Sequence, residues 1–190
     1  MKKLNLCVDI DSTITTPDYW VKYANNFFGT DYVYHDDTVE KYFEENKFTN
    51  ERFDDFYHKY AEDMHKNAGI RPYAIEAINK LREICNIYYV TARESHIETI
   101  TIDWLKKHGI FSEVFHLGSF YKNKKAKELN CDIFIEDNLE TAKQLVDEGI
   151  TVLLIDTGFN RYEEVPKMTR VFNWQDIHRF IKNYHADIKL

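Results

Sequence analysis

The chain has 190 residues, 44% of them hydrophobic, and a formal charge of −7. That length and apolar fraction suffice for one core of ordinary size plus a small insertion, and they exclude a disordered chain. The acidic balance argues against a nucleic-acid polymer or an anionic membrane as partner through bulk electrostatics, and leaves room for a small anion held by focused cations.

The N-terminal MKKLNLCVDI carries two lysines but only a short apolar run, broken by Asp9, and lacks the length and cleavage site of a signal peptide. No run approaches the roughly 18 apolar residues of a membrane span. Cys7, Cys85 and Cys131 form an odd count with no paired spacing, which suits a reducing compartment. The expectation is a soluble, cytoplasmic protein; the oligomeric state is not legible.

LNLCVDI (4–10) is apolar on successive residues, the pattern of a strand buried on both faces. The stretch 17–69 breaks the rhythm: it has aromatic residues at helical intervals, among them Tyr19, Trp20, Tyr23, Phe27, Phe53, Phe56, Tyr57 and Tyr60, between many charges. We expect a helical cap there, inserted after the first strand and lying over its end as a lid. PYAIEAINKLREI (72–84) then reads as a helix, with Pro72 in its first turn. NIYYVT (86–91) is a strand and SHIETITIDWLKKHG (95–109) a helix; a Lys-rich helix (122–130), the strand DIFIED (132–137), the helix NLETAKQLVDEG (138–149) and the strand TVLLID (151–156) follow. Gly109 and Gly149 stand where helix C-termini want glycine. A closing helix is expected over 174–184. The alternation implies an α/β fold with a doubly wound, Rossmann-like parallel sheet and right-handed crossovers, the core covering 1–16 and 70–190 and the cap 17–69.

In such sheets ligands bind outside the carboxyl ends of the strands. The first strand delivers Asp9 and Asp11 there, the second Thr91 and Arg93, and DIFIED delivers Glu136 and Asp137. Residues two apart on a strand share a side, and two carboxylates about 4 Å apart at an effective dielectric near 20 repel by roughly 4 kcal/mol. A cation is called for, and oxygen ligands of this kind suit Mg²⁺ rather than zinc. The eight histidines contain no HExxH; His58 and His65 are expected on the exposed side of the insertion, without a metal role.

At this point the residues resemble a family. DIDST (9–13) is similar to the DxDx[TV] signature of the haloacid dehalogenase-like (HAD) phosphohydrolases, VTAR (90–93) to their second motif, and FIEDN (134–138) to their acidic fourth motif. YVTARES, IFIEDN and the placement of the insertion look most like the 5'(3')-deoxyribonucleotidase branch. The resemblance implies a Mg²⁺-dependent phosphomonoester hydrolase with Asp9 as nucleophile and Asp11 as general acid and base. It also implies metal binding by Asp9, the backbone carbonyl of Asp11, and Asp137, with Glu136 in support. Phosphate would be held by Thr91, by backbone N–H groups after Asp11, and by a lysine, Lys122 ahead of Lys125. Arg93 is left between a phosphate contact and a helix cap. Trp20, Tyr23, Phe27 or Phe28 would either stack on a nucleotide base or form the core of the cap. One departure stands out: Ser12 and Thr13 occupy places where deoxyribonucleotidases usually carry Gly or Glu and Val. DxDST is also similar to phosphoserine phosphatases, whose fourth motif is glycine-rich, unlike FIEDN. The alternatives are therefore a phosphatase of phosphoserine or a sugar phosphate, and a non-catalytic phosphate-binding module.

Overall fold

The computed structural model describes residues 3–46 and 49–188. Met1 and Lys2 of the N-terminal reading and positions 47–48 of the insertion lie outside the described residues. Six parallel strands form one sheet in the order β3-β2-β1-β4-β5-β6: β1 Leu4–Val8, β2 Cys85–Thr91, β3 Val114–His116, β4 Ile133–Glu136, β5 Thr151–Ile155 and β6 Thr169–Val171. The sheet grows outward from β1 in both directions, so strand order reverses between β1 and β4. The two acidic strand ends are neighbours at that reversal, in register at Val8 and Ile135.

The strands are apolar on both faces because helices cover both. Leu6 and Val8 point into a cluster with Ile78 of α4 (Ala74–Leu81), Trp104 of α5 (Glu98–Lys107), and Trp174 and Ile177 of α8 (Trp174–Asp187). Cys7, between them, points the other way, with Phe134 and Leu154, onto Ala126 of α6 (Asn123–Glu128) and Leu145 of α7 (Leu139–Asp147). Fully burying a Leu or Ile side chain contributes ~2 kcal/mol, which keeps one-residue register slips out of reach. Two strands escaped the sequence pattern. β3 and β6 are three residues long and half-buried at the sheet edges, too short for an apolar run to mark them.

The insertion is helical as expected, with α1 Val21–Phe28, α2 Val39–Glu45 and α3 Asn50–Lys66 around their own apolar cluster. The chain leaves and re-enters the core side by side. Thr15 bridges Ile70, Thr16 N–H donates to Gly69 O at 3.0 Å, and Arg71 N–H donates to Ile14 O at 2.9 Å. A second docking point lies beyond β5. Arg161 pairs with Asp36 at 2.7 Å, and Gly158 packs so closely that a Cβ there would stand 2.6 Å from the Asp36 carbonyl oxygen. No described helix is long and apolar enough to cross a membrane.

Candidate active site

The turn after β1 is built to present two carboxylates. Asp9 continues the ladder, its N–H donating to Ile135 O at 3.0 Å, and is 4% exposed. The chain then coils back, with Ile14 and Thr15 N–H both on Ile10 O and Ser12 at a left-handed φ of 54°. Arg71 Nε–H donates to Ser12 O at 2.7 Å and Trp174 Nε1–H to Thr13 O at 2.9 Å, which pins the turn from behind. Ser12 N–H, one of the donors expected for phosphate, is already given to Thr15 Oγ1 at 2.8 Å.

Lys122, just ahead of α6, is 2% exposed and reaches under the turn to Asp9 Oδ1, and to Glu136 Oε2 at 2.9 Å. Lys125, the alternative, faces Glu128 instead. Glu136 spends its other oxygen on the N–H groups of Asp137 and Asn138, at 3.2 and 3.1 Å, so its carboxylate is fully occupied in holding Lys122 and the start of α7. Asn138 caps that helix, accepting from Thr141 N–H at 2.9 Å.

Asp9, Glu136 and Asp137 each bring a carboxylate oxygen within 4.8 Å of the others, against the single ammonium of Lys122. Burial and the carboxylates of Glu136 and Asp11 push Asp9 up to about 7 in spite of Lys122. Burial, then Asp9 and Glu136, lift Asp137 well above the carboxylate range. Burial would depress the Lys122 amine, but the two carboxylates on it outweigh burial and raise it. Of this trio Glu136 is engaged by Lys122 and the start of α7, which leaves Asp9 and Asp137 as hard oxygen donors that fit Mg²⁺, since an added cation favours the ionised carboxylates. The Asp11 carboxylate stands outside this trio; what the sequence reading asked of Asp11 as a metal ligand was its carbonyl.

That carboxylate is instead gripped by Arg93, which is 3% exposed: Nε–H donates to Oδ2 at 2.9 Å and Nη2–H to Oδ1 at 2.8 Å. Burial alone would raise Asp11, but Arg93 and His65 together hold it well below the usual range. The expectation for His65 is overturned. It is 1% exposed, on the inward face of α3, with Nδ1 3.4 Å from Asp11 Oδ1; burial, then Arg93, lower its imidazole. His58 is exposed, at the cavity mouth. Thr91 is fully buried at the end of β2, where its hydroxyl accepts from Arg93 N–H at 3.2 Å, and it does not line the cavity.

A cavity of about 460 Å³ opens over these groups, between Asp9, Asp11, Arg93, Lys122 and Asp137 below and α3 above. Its aromatic lining is Tyr19, Phe53, Tyr57 and Phe120. Trp20, Tyr23, Phe27 and Phe28 belong to the packed interior of the insertion, Trp20 lying 5.1 Å from Phe43 between ring centres. Sequence reasoning missed Tyr57 and His65 as cavity residues. The available signal was the stripe Tyr57, Ala61, His65 at intervals of four, one face of α3 with a small residue at its centre.

The chain is similar in sequence to known nucleotidases. A nucleotidase of Clostridium acetobutylicum is 37% identical over 185 residues, covering 95% of each chain. A 5'(3')-deoxyribonucleotidase of the same organism is 28% identical over 178 residues, covering 93% of each. In fold, the chain matches a magnesium-bound HAD-hydrolase structure from Bacillus subtilis with a TM-score of 0.62 at 14% identity, covering 96% of this chain and 100% of that one. The family of the 5' nucleotidase, deoxy (pyrimidine), cytosolic type C protein matches residues 3–186, and the chain belongs to it, within the haloacid dehalogenase-like phosphohydrolases.

Proposed function

We propose that the protein hydrolyses nucleoside monophosphates through an aspartyl-phosphate on Asp9, with Mg²⁺ held by Asp9, Asp137 and the carbonyl of Asp11. The observation that carries this reading is the meeting of Asp9, Lys122, Glu136 and Asp137 under one cavity with aromatic walls. Asp9 attacks phosphorus with the oxygen that Lys122 leaves free, forming the acyl phosphate as the ester P–O bond breaks. Lys122 keeps the nucleophile aimed and neutralises part of the charge at the reacting centre. Asp11, ionised at rest beside Arg93, acts as general acid once the monoanionic ester has handed it a proton, which it passes to the departing alcohol, and it then takes one from the water that cleaves the acyl phosphate. When bound, Mg²⁺ supplies charge neutralisation for the phosphate oxygens. Thr91 supports the site from beneath by fixing the backbone of Arg93 rather than by reaching phosphate.

The volume lies within the range of small-ligand pockets, and the exposed rings of Phe53 and Phe120 offer flat apolar faces to a base. The segment 17–69 acts as the cap that carries this substrate wall, and the compartment is the cytoplasm, in keeping with the family. The test is phosphate release from a panel of nucleoside, sugar and amino-acid monophosphates, with Mg²⁺ and with EDTA. Nucleotides are expected to rank first, with activity lost in EDTA and in Asp9→Asn. A ranking led by phosphoserine or sugar phosphates refutes the substrate assignment, and an active Asp9→Asn refutes the nucleophile.

A further inference from the structure

Arg93 and His65 have no role in the chemistry so far, yet both are buried against its acid–base group. The guanidinium of Arg93 is set before it meets Asp11: Nη1–H donates to Thr101 Oγ1 at 3.1 Å, and that hydroxyl donates to Ile97 O at 3.0 Å. α5 thus fixes the plane of the fork, and the fork fixes the plane of the carboxylate. α3 brings His65, whose Nδ1 stands 3.4 Å from Asp11 Oδ1, close but without hydrogen-bond geometry and with no other partner among the described residues, while Nε2 lies 3.2 Å from the Tyr57 hydroxyl. The His65 ring is itself held between Tyr19 and Tyr57, each 5.7 Å away between ring centres. Asp11 is therefore oriented by one arm from the core and one from the insertion.

On the phosphatase reading above, we propose that Arg93 and His65 are the positioning residues of Asp11, and that His65 sets the oxygen, Oδ1, through which the proton travels. A protonated carboxyl has one O–H donor and keeps its other oxygen as an acceptor. Oδ2 stays on Arg93 Nε, while Oδ1 gives up the Nη2–H donor that it accepts at rest in order to carry the proton. As the oxygen of Asp9 bonds to phosphorus, the electron pair of the ester P–O bond passes to the leaving oxygen and the Oδ1 proton joins it there. In the second half, water bonds to phosphorus, its proton moves to Oδ1, and the P–O bond to Asp9 breaks. Because one arm belongs to α3, the acid–base group is set only while the insertion is seated.

The discriminating experiment compares two esters. A 5'-nucleoside monophosphate has an alkoxide leaving group that needs a proton, whereas the phenolate of p-nitrophenyl phosphate leaves without one. His65→Phe keeps a ring between Tyr19 and Tyr57 but removes both nitrogens; His65→Asn returns a side-chain nitrogen near Nδ1. We expect His65→Phe to lower kcat/KM, which reports only the first half-reaction, about 10- to 100-fold on the nucleotide and less than about threefold on the aryl ester, while hydrolysis of the common aspartyl-phosphate slows equally for both. His65→Asn is expected to recover most of the nucleotide rate. Equal losses on the two esters, or an unchanged ratio between them, overturn the assignment by making His65 structural only. Wild-type protein inactive on both esters overturns the underlying phosphatase reading instead, and this assignment with it.

Discussion

Lys122 joins two buried carboxylates, and its removal leaves both without their counter-ion. Breaking such a pair from one side costs about 3 kcal/mol, so Lys122→Met is expected to lower stability by that order in urea unfolding as well as to abolish turnover. Burial raises thiols just as it raises the carboxyls of Asp9 and Asp137. Burial pushes Cys85 up to about 12, and a hydrogen bond that Cys7 gives to Cys131, then burial, raise Cys7. Only Cys131, the one cysteine not fully buried, is expected to react with a thiol reagent in the native protein, with all three reacting in denaturant. At this scale the sequence was most readable where chemistry constrains the chain. Asp9, Asp11, Lys122 and Asp137 follow from strand ends and motif order. His65 was not readable, because a histidine among charges and aromatics does not reveal which side of its helix meets the core.

The glycine-ended helix C-termini were legible because such caps are local, whereas Pro72 stands ahead of α4 rather than in its first turn. Asn138 and Asn173 accept from the N–H groups of Thr141 and Asp176, and Gly109 and Gly149 adopt the positive φ that their places demanded. Asn173→Ala is expected to cost about 1 kcal/mol, read as a lower melting temperature with activity retained at 25 °C. How the insertion sits on the core was not legible, since it depends on contacts between distant segments. Gly158 is the sharpest of these: a methyl group there meets the Asp36 carbonyl and Val39 at 2.6 Å. Gly158→Ala must displace the segment before α2, and we expect a loss of about 1–3 kcal/mol together with faster proteolytic cleavage within 30–45.

For the whole molecule, the alternation of strands and helices gave the fold class, whereas the strand order that makes β1 and β4 adjacent came only with the structure. That adjacency concentrates negative charge in a protein that is already acidic, and on the proposed Mg²⁺ reading a bound cation would stabilise the native state. Mg²⁺ at about 100 times its dissociation constant is expected to add roughly 2.7 kcal/mol, a rise in melting temperature of roughly 5–10 °C. Asp137→Asn is expected to abolish most of that rise, measured by calorimetry with and without the ion. A last consequence follows from the indole of Trp174, which clasps the Thr13 carbonyl from 161 residues further along the chain. A ribosome finishes every acidic group of the centre long before it makes that clasp. Nascent polypeptide therefore carries the full set of reactive oxygens with the loop between them unfastened until α8 emerges and folds back.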